Sequence, residues 1–176
     1  MIDTKVLPSA EVDNPSQSLD SLANRQFKVL SLIASGLSNK SIADRLGIVI
    51  HSVENYINQI YSTLRTHRGD VDYDSRVKAA LMYRERYPFE FVEQSLGVHL
   101  TPREYEVLSL LAIGYSNARI AGELYVIGNT VESHIYHAYS KLGIDARNAS
   151  YSPRVLAMLM FDRIPAPKGY APRTSK

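Results

Sequence analysis

Apolar side chains along this chain recur at spacings of three and four and nowhere alternate over a sustained stretch, a pattern that predicts helices and no sheet. Val53, Ile57, Ile60 and Leu64 form one such stripe, and Val131, Ile135, Ala138 and Leu142 form another. An earlier helix in each half shows Phe27, Leu30 and Ile33, or Tyr105, Leu108 and Leu111. The helix ends are marked as well. Thr101-Pro102-Arg103-Glu104 combines a capping hydroxyl, a first-turn proline and a carboxylate placed to close a capping box. Gly36 and Gly114 supply left-handed stops, after which Ser38 and Ser116 cap a short second helix carrying Ile42, Ala43 and Leu46, or Ile120, Ala121 and Leu124, inward. A fourth helix near Ser75 or Ser152 carries Val77, Ala80 and Leu81, or Val155, Met158 and Leu159, as one stripe.

The doubling of every element has a direct cause. Shifting the sequence against itself by 78 positions aligns residues 22–82 with 100–160 without a gap, and 25 of those 61 positions are identical. The chain is an internal duplication. It divides into an acidic N-terminal segment (1–21), a first unit (22–86), a connector (87–99), a second unit (100–163) and a Pro-rich basic tail (164–176) expected to be an extended arm able to touch phosphates. Units this small gain from burial against one another. If the fourth-helix stripes pack together, the chain becomes a covalent pseudo-dimer, and the connector's reach of about 40 Å permits other placements too. Phe89, Phe91, Val92 and Leu96 suggest that the connector packs on a unit.

In each half a small Ala sits in the short helix, four residues before a turn and ten before a β-branched residue of the next helix: Ala43, Gly47, Val53 and Ala121, Tyr125, Val131. This spacing lets two helices cross closely and steeply, the helix-turn-helix pattern. At these residues the units resemble the LuxR/GerE-type DNA-binding family, through Leu100-Thr-Pro-Arg-Glu-Tyr-Glu-Val-Leu-Ser-Leu-Leu-Ala-Ile-Gly-Tyr-Ser-Asn117, Ile120-Ala121, Thr130-Val131, His134 and Lys141-Leu142-Gly143. The first unit keeps less of the motif, with Ala23-Asn24-Arg25-Gln26 for the Thr-Pro-Arg-Glu start and Tyr56 for His134. The resemblance implies an all-α fold of two tandem four-helix units, the third helix of each in the major groove, the fourth often a dimer contact, and transcriptional regulation. Val49 and Ile127 stand where the family commonly has a capping Ser, so His51, Gly128 or Asn129 is expected to help start the third helix. Leu64 to Arg76 and Leu142 to Arg154 each span 12 positions, longer than the family pattern.

Removing the core stripe from the third helices leaves Glu54, Asn55, Asn58, Gln59 and Ser62 outward in the first unit and Glu132, Ser133, Tyr136, His137 and Ser140 in the second, the candidate base readers. Neither set contains Arg or Lys. Phosphate contacts must then come from Lys40, Arg45, Arg65 and Arg68 in the first unit and Arg119, Lys141 and Arg147 in the second. Arg25 and Arg103 read as structural salt-bridge positions, His51, His67 and His99 as surface, His134 as a buried neutral ring, and the Tyr61/Tyr139 and Tyr73/Tyr151 pairs as packing.

Composition narrows the function. There is no Cys, which excludes disulfides, thiolate chemistry and Cys-rich zinc sites, and the five His residues lack metal-ligand spacing. No nucleophile, base and orienter constellation is present, so neither an enzyme nor a cofactor is expected. No apolar run reaches the roughly 18 residues that cross a bilayer, and no leader precedes the first unit, so a cytoplasmic protein is expected. The formal +2 conceals +4 in residues 22–86, zero in 100–163 and +3 in the tail. Double-stranded DNA is the expected partner, with RNA polymerase or another regulator and a homodimer as further possibilities. The low charge and the two Glu residues also fit a different class, a protein-interaction module whose degenerate helix-turn-helix units bind such a regulator or polymerase.

Overall fold

The computed structural model describes residues 19–66, 71–88 and 95–170. Its helices come in two sets of four. The first set is α1 (Asn24–Ala34), α2 (Asn39–Leu46), α3 (Ile50–Thr63) and α4 (Ser75–Arg86). The second is α5 (Pro102–Ala112), α6 (Asn117–Leu124), α7 (Gly128–Leu142) and α8 (Pro153–Phe161). Among the described residues none is in an extended strand beyond two isolated bridges.

The expected stripes form the cores. Leu30, Ile33, Val53, Ile57, Ile60 and Leu64 are buried in the first unit, and Leu108, Leu111, Val131, Ile135, Ala138 and Leu142 in the second. Phe27 and Tyr105 are only half-buried, because each ring packs at the edge of its unit: Phe27 against Tyr83 and Tyr87, Tyr105 against Phe161 and Tyr170. Leu19 and Leu22 are both buried against the first core, so packing begins ahead of residue 22. The tail is likewise not free where it is described, since Ile164 is buried and Tyr170 stacks edge-on against Tyr105 at 4.8 Å. Leu96 and Val98 of the connector pack on the second core, and the Leu96 amide donates to the Arg163 carbonyl at 2.8 Å. Phe89, Phe91 and Val92 lie outside the described residues.

Capping follows the residue types present. Thr101 and Glu104 close the box at α5, with the Thr101 amide donating to Glu104 Oε2 at 2.8 Å. At α1 only half of it survives, the Ala23 amide donating to Gln26 Oε1 at 2.9 Å, because alanine has no oxygen to complete it. Gly47 ends α2 at φ +63°, and Tyr125 takes the same left-handed place after α6 at φ +53°. A side chain there costs roughly 1–2 kcal/mol relative to glycine.

The two units meet through α4 and α8. Val155 and Met158 of α8 are buried in the first unit's core beside Val77 and Ala80 of α4, so the fourth-helix stripes do pack together. The contacts across this seam are reciprocal. Gly36 lies against Leu156 and Leu159, and Gly114 lies against Lys78 and Leu81, the same positions shifted by 78. Leu37 bridges Tyr151, and Tyr115 bridges Tyr73. The Ser38 amide donates to Ser150 O at 3.0 Å and the Ser152 amide to Gly36 O at 2.8 Å; their counterparts join Ser116 to Asp72 O and Asp74 to Gly114 O, both at 2.8 Å. A surface that meets its own copy with exchanged partners defines a two-fold relation, here between halves of one chain. The long segments between the third and fourth helices make these bridges.

The symmetry is broken where charges cross the seam: Arg119 lies 3.6 Å from Asp72, with Ser41 and Ser150 at the equivalent positions. Arg154 Nε lies 3.2 Å from Asp74 Oδ2 across the seam, whereas Arg76 has Ser152 at the position equivalent to Asp74. Nearby, burial pushes the Tyr139 phenol up to about 12, with the Arg154 charge opposing and Asp74 adding to the shift.

Candidate nucleic-acid interface

Each third helix turns its stripe inward and presents a polar ridge. On α3, Asn55, Asn58, Gln59 and Ser62 are exposed and Glu54 is half-buried; on α7, Glu132, Ser133, Tyr136, His137 and Ser140 are all exposed. Val53 and Val131 anchor the helices underneath, fully buried beside Ile42 and Ile120 of the preceding helix. The ridges differ in chemistry. Gln59 Oε1 accepts from Gln26 Nε2 of α1 at 2.9 Å, which fixes its amide orientation. Tyr136 stands two-thirds exposed, its ring edge-on to His137 at 5.7 Å. Glu54 pairs loosely with His51 Nδ1 at 3.8 Å, the ring largely in water and the carboxylate about half so.

Neither helix uses a side-chain cap. Val49 and Ile127 are the N-caps, without a side-chain hydrogen bond, so none comes from His51, Gly128 or Asn129. All three of those residues are exposed.

The candidate cations separate into two groups. Lys40 and Arg45 on α2 are exposed and form no ion pair among the described residues. In the second unit, Arg119 is held by Glu123 at 2.7 Å and lies 3.6 Å from Asp72 across the seam. The hydrogen bond to Glu123 raises the guanidinium's already high pKa. Lys141 Nζ sits 2.6 Å from Glu104 Oε2, whose carboxylate is buried. Burial pushes Glu104 upward, but hydrogen bonds from Lys141 and Thr101, with the Lys141 charge, outweigh it and leave the carboxyl below its ordinary range. Arg65 is exposed at φ +53°, and the Arg147 amide caps onto Asp145 with its side chain exposed. Arg68 and His67 lie outside the described residues.

Arg103 is structural, bonded to Glu106 at 2.6 Å and to Leu124 O at 3.1 Å. Arg25 is not its equal, because the residue matching Glu106 is Lys28, and Arg25 is exposed. His51 and His99 are on the surface, while His134 is half-buried. Sequence reasoning missed Arg76 and Arg154 as the clamps on the helix-turn-helix pair. Arg76 donates to Asn39 Oδ1 at 2.8 Å and to Leu37 O at 2.6 Å, and Arg154 does the same at Asn117 and Tyr115. Their identity in both copies was the available signal.

The family model for bacterial regulatory proteins of the luxR family, GerE, matches residues 20–82 and again residues 98–152. The chain belongs to this family. It carries two luxR-type units, each matched with its own helix-turn-helix pair, and is of the DNA-binding regulator kind. No solved structure matches the chain. Among the described residues no helix is long and apolar enough to cross a membrane.

Proposed function

We propose that this luxR-family chain is a cytoplasmic transcription regulator that reads one asymmetric DNA site with two unlike recognition helices, α3 and α7. The reading is supported chiefly by the reciprocal seam, which relates the two units by a two-fold axis while both polar ridges stay open to solvent. Asn55, Asn58 and Gln59 suit adenine, Glu54 and Glu132 suit the cytosine amino group, and His137 suits guanine acceptors. Ser133 and Tyr136 complete the second ridge. Lys40 and Arg45, with Arg65, Arg68 and Arg147, supply the phosphate grip. Arg119 and Lys141 contribute less, because each would have to leave a carboxylate first. The fourth-helix surface is already occupied within the chain, so one copy suffices for two recognition helices.

The test is duplex binding against salt after selection from a random pool. Several released counterions should give a steep slope, and replacing Lys40 and Arg45 by Ala should lower its magnitude by about 2. The same pair of changes at Arg119 and Lys141 should lower it less. A flat salt dependence would instead assign the ridges to a protein partner such as another regulator or RNA polymerase.

A further inference from the structure

The start of each third helix runs against what the fold alone prefers. A Ser or Asp at the N-cap would satisfy a first-turn amide, yet the N-caps of α3 and α7 are Val49 and Ile127, 68% and 70% exposed. Each unit thus forgoes a cap and leaves a branched aliphatic side chain in water. The two residues are 78 positions apart, equivalent in the duplication and related by the two-fold seam. They stand at the N-terminal ends of the helices that carry the outward ridges. Those ridges lack Arg and Lys, the side chains that pair best with guanine, and the first offers three amides suited to adenine.

Within a major groove, the one feature that complements an aliphatic side chain is the C5-methyl group of thymine. On the DNA-reading function argued above, we propose that Val49 and Ile127 each pack against a thymine methyl at equivalent positions of the two half-sites.

The experiment takes the duplex that the full chain enriches from a random pool and replaces thymidine by deoxyuridine, first in one half-site and then in the other. That change deletes only the methyl group. Affinity should fall about fourfold per contacted methyl, as burial of one such group implies. Val49→Ser should abolish the loss in one half-site and Ile127→Ser in the other, while both variants stay folded, because Ser caps a helix better than either residue. Equal affinity of the wild-type chain for thymidine and deoxyuridine duplexes overturns the assignment and leaves DNA reading intact. A loss that persists in both Ser variants overturns it too. A pool that yields no enriched duplex overturns the DNA reading together with this proposal.

Discussion

The seam between the units can be tested with two glycines that serve as each other's control. Gly36 and Gly114 are equivalent in the duplication, and both hold positive φ, +84° and +94°. Replacing either by Ala forces a side chain into the left-handed region, at roughly 1–2 kcal/mol. Their surroundings differ. A Cβ on Gly36 would come within 2.8 Å of Leu156 Cδ2, closer than two carbons can approach, whereas on Gly114 the nearest atom is Leu81 Cδ1 at an ordinary 3.5 Å. Pushing Leu156 aside in a packed seam adds about 1–3 kcal/mol. Gly36→Ala should therefore destabilise the chain by about 2–5 kcal/mol and Gly114→Ala by about 1–2 kcal/mol. Urea unfolding followed by far-ultraviolet circular dichroism and by tyrosine fluorescence reads both, the chain having 12 Tyr and no Trp. Adding Leu156→Ala to Gly36→Ala should recover part of the excess, a coupling of about 1 kcal/mol, and should do nothing comparable for Gly114→Ala. If the two glycine variants lose equal stability and Leu156→Ala couples to neither, the close packing of Gly36 against α8 is refuted.

Two further outcomes follow from single residues. Thr66 is 1% exposed and its hydroxyl has no hydrogen-bond partner among the described residues, while the equivalent residue of the second unit is Ile144; Thr66→Val should raise the unfolding free energy by about 1 kcal/mol in urea. Lys141→Ala leaves the buried Glu104 carboxylate with only Thr101, and should cost about 1–2 kcal/mol at neutral pH, less than a fully buried pair because Lys141 is partly in water. The depressed Glu104 pKa contributes stability above its unfolded-state value and loses it as pH falls through the folded value. Stability measured from pH 6 to pH 3 should thus fall less steeply in Lys141→Ala than in the wild type.

Local signals made the helices and their buried faces readable before any coordinates. The stripe from Val53 to Leu64, the Thr101 box and the Gly36 stop are written within one or two helical turns, and each appears where its spacing places it. The fourth-helix stripe was readable in the same way, but what covers it was not: packing across the seam was one of several placements the sequence allowed, and the fold has Val77 and Ala80 in their own unit's core with Val155 and Met158 of the other unit beside them. Charges were less legible. Lys141 read as an open cation because its carboxylate, Glu104, lies 37 residues away in sequence and only the folded arrangement brings them together, whereas the main partner of Arg119, Glu123, stands one helical turn on and was within local reach. Arg25 shows the converse, an inferred ion pair that fails because Lys28 replaces the acid that Arg103 has at Glu106.

The long segments before the fourth helices show why a departure from a family pattern can be visible and yet unreadable. Their backbone groups need partners, and local turns such as Asn148 N to Asp145 O supply only some of them. They find others at the turn after the first helix of the opposite unit, where Gly36, Ser38, Gly114 and Ser116 expose amides and carbonyls. The same bonds occupy the amides of Ser38 and Ser116 at the starts of α2 and α6, groups that an isolated helix-turn-helix unit would leave for a phosphate. These two amides are therefore committed to the seam between the units. If the chain reads DNA as proposed, exposed long side chains such as Lys40 and Arg45 contribute to the grip on the backbone, and replacing them should lower the salt dependence of binding.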